Sequence, residues 1–256
     1  MMATIVRAQR WFEDACIGAG YTLQLLLRTV AALTLLGRKR RESFDQLLLC
    51  VLGSLPVVFT TALSIGMIVS LQTGQVLRDF RQESQLGYVV MLGMFREMGP
   101  VFTSLALAGL VGSTFAAELG TMKVSEEIDA LEVMSIDPVY FLVLPRVFAL
   151  GIAAVVLTVY ADVIGTVGGA IVARANFGVD FEVFMAKGRD HLFMKDVWGG
   201  LCKSFIYGTT IGTVACSQGL RAEGGPAGVG LATLRTVVIS FTLILIFDYL
   251  LTWMFW

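Results

Sequence analysis

The sequence predicts an all-α membrane protein: an N-terminal interfacial helix, then five transmembrane helices, with a short cytoplasmic helix between the second and third spans. Three observations carry that prediction. The chain is 56% hydrophobic and 15% charged, where a soluble domain carries about 25% charged residues. Several apolar runs exceed the roughly 18 residues that mark a membrane span. From Gln46 to Leu77 there is no charged residue. The net charge of −1 gives no reason to expect a nucleic-acid partner. Cys16, Cys50, Cys202 and Cys216 are scattered without a C-x-x-C. That favours small buried hydrophobes over a disulfide framework or a metal site. The first residues lack the charged start, apolar centre and small-residue cleavage pattern of a signal peptide.

Residues 1–43 are read as an interfacial helix and a basic linker. The apolar run from Ala15 to Gly37 is long enough to cross, but Arg28 sits at its middle. An arginine at the bilayer centre costs about 2.5–3.5 kcal/mol on insertion scales. Arg7 and Arg10 precede the run and Arg38-Lys39-Arg40-Arg41 follow it, so a span would put one basic cluster outside. The segment is therefore laid flat on the cytoplasmic face, with Trp11 and Phe12 as anchors; a true first span is the minority alternative. Residues 44–256 form one membrane domain, with spans at about 46–77, 88–117, 143–173, 197–220 and 231–256.

The first of these spans leaves the cytoplasm at the basic cluster. Pro56 and Gly66 lie within it and predict a bend or interruption. Its far end carries Val69, Thr73, Val76, Leu77 and Phe80 at helical spacing, a nearly continuous apolar face. Such a face suits helix or lipid contact, or the wall of a lipid cavity, and periodicity alone favours the first. After a polar external loop, the second span returns with Arg96-Glu97 in its outer half and Pro100 just beyond. Adjacent helical residues point about 100° apart, so each charge needs its own partner or a wet cavity. Ionisable residues inside spans mark functional sites by default. The pair is read as a candidate substrate site, ahead of the plainer account in which neighbouring helices merely satisfy it. Pro100 removes a backbone donor and predicts a helix break at the charges.

Residues 118–138 follow on the cytoplasmic side, with six acids (Glu118, Glu126, Glu127, Asp129, Glu132, Asp137) and one base, Lys123. Ser125 to Met134 reads as a helix with Ile128, Leu131 and Met134 on one face, stopped by Asp137-Pro138. A surface helix with an apolar face, tied between two spans, suits docking to a soluble partner better than it suits a solvated loop. The third span is interrupted only by Asp162 and carries Gly165-x-x-x-Gly169, a weakly specific spacing for close helix approach. The external loop 174–196 holds four basic and four acidic residues and the single histidine, His191, read as a solvated surface residue. The fourth span carries Lys203 and Gly208-x-x-x-Gly212. A glycine-rich turn with Pro226 leads to the last span, which holds Asp248 and ends in Tyr249, Trp253, Phe255 and Trp256, an interfacial aromatic belt. Lys203 lies about seven residues inward and Asp248 about nine, matching depths at about 1.5 Å per residue. Unpaired charges at such depth are costly, so these two are expected to pair.

The motifs resemble the MlaE (YrbE) permease family. They are Arg96-Glu97-x-Gly99-Pro100, Ala108-Gly109-x-x-Gly112-Ser113, Ala117-Glu118-x-Gly120-x-Met122, Glu126, Met134 and Asp137-Pro138. Pro145-Arg146, Gly168-Gly169, Lys203-Ser204, Arg235-Thr236-Val237-Val238 and Asp248 extend the match. It runs from about residue 44 to the end. The central block is specific; the N-terminal helix is not. The resemblance implies the permease of an ABC-type lipid transporter in the inner membrane of a diderm bacterium, with relatives in chloroplast envelopes and mycobacteria. It implies a homodimer, two copies of a separate ATPase that binds ATP and Mg, a hexameric MCE-domain protein outside and, in some members, a STAS-domain protein. The positions matching lipid-contacting ones are Val69, Val76, Leu77, Phe80 and Glu97, joined here by the neighbouring Arg96. The segment 118–138 corresponds to the coupling helix, with Glu118, Lys123, Glu126, Glu127, Ile128, Leu131 and Glu132 toward the ATPase. Asp162 and the start of the chain depart from the family pattern, and Asp162 carries no assigned role.

The chain has no G-x-x-x-x-G-K-[ST] and so supplies no ATP site or cofactor site of its own. The alternative from another class is an ion-coupled secondary transporter using Arg96, Glu97, Lys203 and Asp248 as a relay. It would often show internal repeats, and none is visible. A lipid-modifying enzyme would need a catalytic constellation, which the lone His191 does not provide.

Overall fold

The computed structural model describes residues 18–31 and 40–256. Arg7, Arg10, Trp11, Phe12, Arg38 and Lys39, invoked above for the N-terminal segment, lie outside the described residues. Among the described residues there is no strand. Helix α1 (18–31) buries Leu25 and Thr29 and exposes Leu23, Leu27, Arg28 and Val30. Helix α2 (Arg40–Asp79) has Glu42 in its first turn and Arg78 in its last, the charge placement that suits the helix dipole. Its 40 residues span about 60 Å, about twice a bilayer's hydrocarbon core. Pro56 and Gly66 do not interrupt it. Pro56 lies on the exposed face, and Gly66 instead sets the approach of the neighbouring helix: a Cβ there would run into the carbonyl of Gly165.

A continuous helical rod, Glu83–Val124, contains α3 (Leu86–Gly93), α4 (Gly99–Leu107) and α5 (Ser113–Val124), joined by π turns at Met94–Met98 and Ala108–Gly112. The break expected at Pro100 is thus a widened turn, with the Gly99 N–H donating to the Met94 carbonyl. Pro100 cannot donate to the carbonyl of Arg96, and the ammonium of Lys203 lies 3.3 Å from that oxygen. Helix α6 (Glu127–Val133) is entered through Glu126 at φ 62° and left through Ser135 at φ 59°. A third π turn, Val139–Val143, leads into α7 (Leu144–Phe177).

The loop expected over 174–196 contains a helix, α8 (Phe181–His191). Phe181, Phe184, Met185 and Gly188 recur at helical spacing beneath the charges. Phe184 packs so closely on α3 that a Cβ at Gly87 would meet its backbone. His191 stacks on Tyr88 at 4.8 Å. Helices α9 (Met194–Leu220) and α10 (Pro226–Phe255) complete the chain.

Helix α7 lies between α2 and α9, and α9 in turn packs on α5 and α10. The central core joins Val58, Val101, Leu107, Leu150, Leu157, Tyr207, Ile211 and Ile244. At the α6 end, Leu25 of α1 packs with Leu119, Ile128, Leu142, Val143, Val147 and Cys216. At the α8 end, Leu86, Val90, Met94, Ala170, Ala173 and Phe184 form a third cluster. Among the described residues, four helical stretches are long and apolar enough to cross a membrane: Arg41–Asp79, Glu83–Val124, Val139–Phe177 and Pro226–Phe255. Helix α9 does not reach that composition. Its buried face is built of Gly199, Gly200, Ser204, Gly208, Gly212, Thr213 and Ser217, which a helix enclosed by other helices tolerates.

Candidate functional site

The widened turn Met94–Met98 presents Arg96 and Glu97 to α9 and α10. The two charges do not pair with each other. Arg96 Nε and Nη2 both lie 2.8 Å from Asp196 Oδ1 at the start of α9. Glu97 Oε2 accepts from Lys203 Nζ at 2.8 Å. The same ammonium lies 3.0 Å from Asp248 Oδ1 and 2.6 Å from Thr252 Oγ1. The Thr252 hydroxyl lies 3.0 Å from Glu97 Oε1, and the Tyr207 hydroxyl donates to Asp248 Oδ1 at 2.9 Å. Trp256 closes the cluster: its Nε1–H donates to Asp196 Oδ1 at 3.1 Å. Its ring faces two cations, Arg96 Cζ at 5.0 Å and Lys203 Nζ at 5.2 Å, a placement the negative ring face favours.

Each element contributes by spacing. On α10, Asp248 and Thr252 stand four residues apart and share one face, and Trp256, the residue that caps the helix, continues that spacing. On α9, Lys203 and Tyr207 do the same, with Asp196 two turns before Lys203. Gly199 leaves room for the Trp256 ring, which a Cβ there would touch at 2.8 Å. The cluster therefore joins three helices through one buried lysine. A buried ammonium is tolerable only when opposite charge and hydrogen bonds surround it, and here both do.

The sequence reading placed Lys203 beside Asp248 alone; the structure makes Glu97 a second carboxylate on the same ammonium. It also recruits Asp196, Tyr207, Thr252 and Trp256, which sequence reasoning left aside. The four-residue spacing on α9 and α10 is the signal that points to them. Asp162, by contrast, lies apart from this cluster. It is buried in α7 against Gly99, with Oδ1 lacking a hydrogen-bond partner among the described residues.

The apolar positions on α2 do not form one surface. Val69 and Leu77 pack against the cluster of Leu86, Val90 and Phe184, together with Phe95 and Met98 from the charged turn. Val76 and Phe80 are exposed. The hydrophobic side of the π turn and the inner side of α2 thus meet in one cluster, and the outer side of α2 stays open.

At the opposite end, Glu118 lies 3.0 Å from Arg146, and Lys123 lies 2.6 Å from Asp129. Asp137 Oδ1 accepts from the Val139 N–H at 2.9 Å and so fixes the exit from the α6 segment. Ile128, Leu131 and Met134 were expected on one outward face, and here the structure corrects the reading. Ile128 is 3% exposed against Leu25, Leu119 and Val143, and Leu131 packs against the same cluster. The left-handed residue Glu126 turns α6 so that this face closes on the bundle. Met134, past the end of α6, points away with Val133, and Glu126, Glu127, Asp129 and Glu132 are exposed around them.

Comparison with known proteins matches this chain to one family. Residues 43–254 match the family model described as Permease MlaE. A probable ABC transporter permease protein of Synechocystis sp. is 33% identical over 245 residues, 95% of this chain and 91% of that protein. A probable ABC transporter permease protein of Rickettsia typhi is 40% identical over 207 residues, 81% and 80% of the two chains. The intermembrane phospholipid transport system permease protein MlaE of Haemophilus influenzae is 36% identical over 205 residues, 79% and 78%.

Proposed function

The chain belongs to the MlaE permease family, and from that membership we propose that it is the membrane subunit of an ABC transporter moving phospholipid between the inner membrane of a diderm bacterium and an external conduit. The observation that carries the site is the ionic cluster of Arg96, Glu97, Lys203 and Asp248, with Glu97 and Asp248 partly open while Lys203 is fully buried. It lies within the apolar helical domain and borders the apolar cluster of α2 and α3. A lipid needs an apolar wall for its tails and polar groups for its head. Val76 and Phe80 are proposed as the open face of the wall, with Val69 and Leu77 packed behind it against Leu86, Val90 and Phe184, and Arg96 and Glu97 as the polar end. A two-fold dimer would face two such surfaces across one axis.

Helix α9 is proposed as the fifth span. Its 27 residues extend about 40 Å, and the other helices give it the apolar surroundings that its own composition lacks. Helix α1 is proposed to lie in the cytoplasmic interface, its exposed Leu23, Leu27 and Val30 toward lipid. The α6 end is then cytoplasmic, with the N-terminus, and the C-terminus is periplasmic. The α6 segment is proposed as the coupling element for a separate ATPase that holds ATP and Mg, with Glu118, Lys123, Glu126, Glu127 and Glu132 on its polar side and Ile128 and Leu131 anchoring it to the bundle. The proposed assembly is a homodimer with two ATPase copies, a hexameric MCE-domain protein outside and, in some systems, a STAS-domain protein.

The test is reconstitution of this chain and its ATPase into vesicles carrying fluorescent phospholipid. Lipid movement should require hydrolysable ATP and fall when Glu97 is changed to Ala. Movement driven by an ion gradient without the ATPase would replace this reading with the ion-coupled one, which family membership does not favour.

A further inference from the structure

Helix α1 meets the rest of the chain through one stripe, Tyr21, Thr22, Leu25 and Thr29, at helical spacing. Leu25 packs in the cluster of Leu119, Ile128, Val143 and Cys216, and Thr22 Oγ1 stands 2.7 Å from Ser217 Oγ on α9. Arg221, which caps α9, lies with Cζ 5.7 Å from the centre of the Tyr21 ring. A Cβ at Gly18 would meet its guanidinium at 2.9 Å. Arg28 follows Tyr21 by two turns of α1 and so shares its side of the helix. Helical side chains lean toward the N-terminus, which carries Arg28 back toward Tyr21. The phenol registers these cations. Burial pushes the Tyr21 hydroxyl above its ordinary value, while Arg221, Arg28 and Lys123 pull it back.

The three cations are not equally used. Lys123 holds Asp129 at 2.6 Å. Arg28 and Arg221 are exposed, and neither has a carboxylate partner among the described residues. Two guanidinium groups gathered around one phenol repel each other, and an anion between them offsets that repulsion. The surroundings select the kind of anion. Leu23, Leu27 and Val30 of α1 are 59%, 62% and 53% exposed, and Leu27 adjoins Arg28. The seam therefore offers guanidinium groups beside an uncovered apolar edge. That combination suits a phosphate carried on acyl chains better than a phosphate free in water.

We infer that Arg28 and Arg221 form a site for the phosphate of an anionic phospholipid of the cytoplasmic leaflet, which fastens α1 to the end of α9. Guanidinium groups hold phosphate oxygens through paired N–H donors, one arginine coming from each helix. The lipid is a resident one, bound at the end of the chain opposite the cluster of Arg96, Glu97, Lys203 and Asp248. It also bears on coupling. Leu25 shares its cluster with Ile128 and Leu131 of α6, so a lipid that holds α1 in place steadies α6 as well. The inference goes beyond the transport reading and takes from it only the placement of α1 in the cytoplasmic interface.

The test uses the intact complex of this chain with its partner ATPase, in phosphatidylcholine vesicles carrying increasing phosphatidylglycerol. Hydrogen exchange of the backbone amides of residues 18–31 is followed by mass spectrometry. Exchange should slow as phosphatidylglycerol rises, and ATP hydrolysis should rise over the same range. Each basic residue at an anionic surface contributes about fivefold in affinity. Arg28→Gln combined with Arg221→Gln should therefore raise the phosphatidylglycerol needed for half the protection on the order of twentyfold. Arg41→Gln removes an exposed cation of α2 that does not act on Tyr21, and should shift that midpoint far less than Arg28→Gln alone. An equal shift would mean general surface charge and overturn the site. Soluble glycerophosphoglycerol, the same phosphate without acyl chains, should leave exchange unchanged; protection by it would make the ligand a free phosphate compound and overturn the lipid. Exchange indifferent to phosphatidylglycerol in the unaltered complex would overturn the inference, as would a double variant that responds as the unaltered complex does. ATP-driven lipid movement in the same vesicles keeps the two readings apart, since its absence overturns the transport reading whatever the exchange shows.

Discussion

Lys203 is the residue on which the most other groups depend. Its ammonium is the one charge shared by Glu97, Asp248 and Thr252, and it stands 3.3 Å from the carbonyl that Pro100 leaves without a helical donor. Replacing it with Met keeps the length of the stem and removes the charge. Two carboxylates would then face each other with no cation between them. Breaking a buried pair in this way costs about 3–5 kcal/mol, so Lys203→Met should lower the melting temperature of the detergent-solubilised protein markedly. Adding Glu97→Gln and Asp248→Asn to that variant should recover most of the loss, because the repelling charges go with it. Equal melting of wild type and Lys203→Met would show that the cluster contributes little to the fold. The matching depth of Lys203 and Asp248 was legible in the sequence, because depth follows from residue count. That Glu97 shares the same ammonium was not, because the widened turn that rotates it toward α9 leaves no mark in composition.

Elements were legible where hydropathy and length agree, and less so where packing overrides them. The uncharged stretch Gln46–Leu77 reads directly as a long helix, and α2 covers it. Pro56 misled because its consequence depends on which face it occupies. Helix α8 was hidden because its eleven residues mix charges with Phe184 and Gly188, and only contact with α3 makes that spacing meaningful. The α6 segment shows the same limit. Its apolar spacing is real, but spacing does not say whether the face turns toward a partner or toward the rest of the chain. Burial now separates two substitutions. Ile128→Asp places a charge in the cluster with Leu25, Leu119 and Val143 and should lower thermal stability by several kcal/mol. Met134→Asp changes a residue that is 69% exposed beside Val133 at 86%, so the fold should be unaffected while copurification of the ATPase falls. Melting curves and pull-down yields measured together decide the point. Full ATPase recovery with Met134→Asp would place the coupling contact elsewhere. The α2–α7 contact gives a third test at this scale. Gly66→Leu would force α2 away from the Gly165 carbonyl and break the Ser70 Oγ–H to Gly169 carbonyl bond of 2.8 Å. Overpacking of this kind costs about 1–3 kcal/mol, readable as a lower melting point, whereas Gly53→Leu, at an exposed site of the same helix with open space around it, should be silent.

At the scale of the whole molecule, the chain buries its polar groups inward and leaves much of α2 and α10 apolar and exposed. Val76 of α2, Phe80 just past its end, Ile171 of α7 and Leu245, Leu250 and Trp253 of α10 are all on the surface. Exposed apolar residues are expected of any membrane protein, so exposure alone does not tell a transport path from the lipid-facing skin. The membrane class was legible from composition. The division of that apolar surface among bilayer, second copy and substrate was not, because one chain presents the same chemistry to all three. Response to nucleotide separates them. A residue lining the path meets a lipid whose occupancy changes through the ATP cycle, whereas a residue facing the bilayer meets lipid at a constant frequency. Photoreactive side chains at Val76, Phe80 and Ile171, in complexes with the partner ATPase, should all capture some lipid. Capture at Val76 and Phe80 should change when ATP is added, and capture at Ile171 should not. The comparison holds exposure nearly equal, since Val76 is 57% and Ile171 54% exposed, so a difference reports location and not accessibility. Nucleotide response at Ile171 equal to that at Val76 would mean that the far side of α7, not the open side of α2, lies on the path, and the proposed wall would have to be moved there.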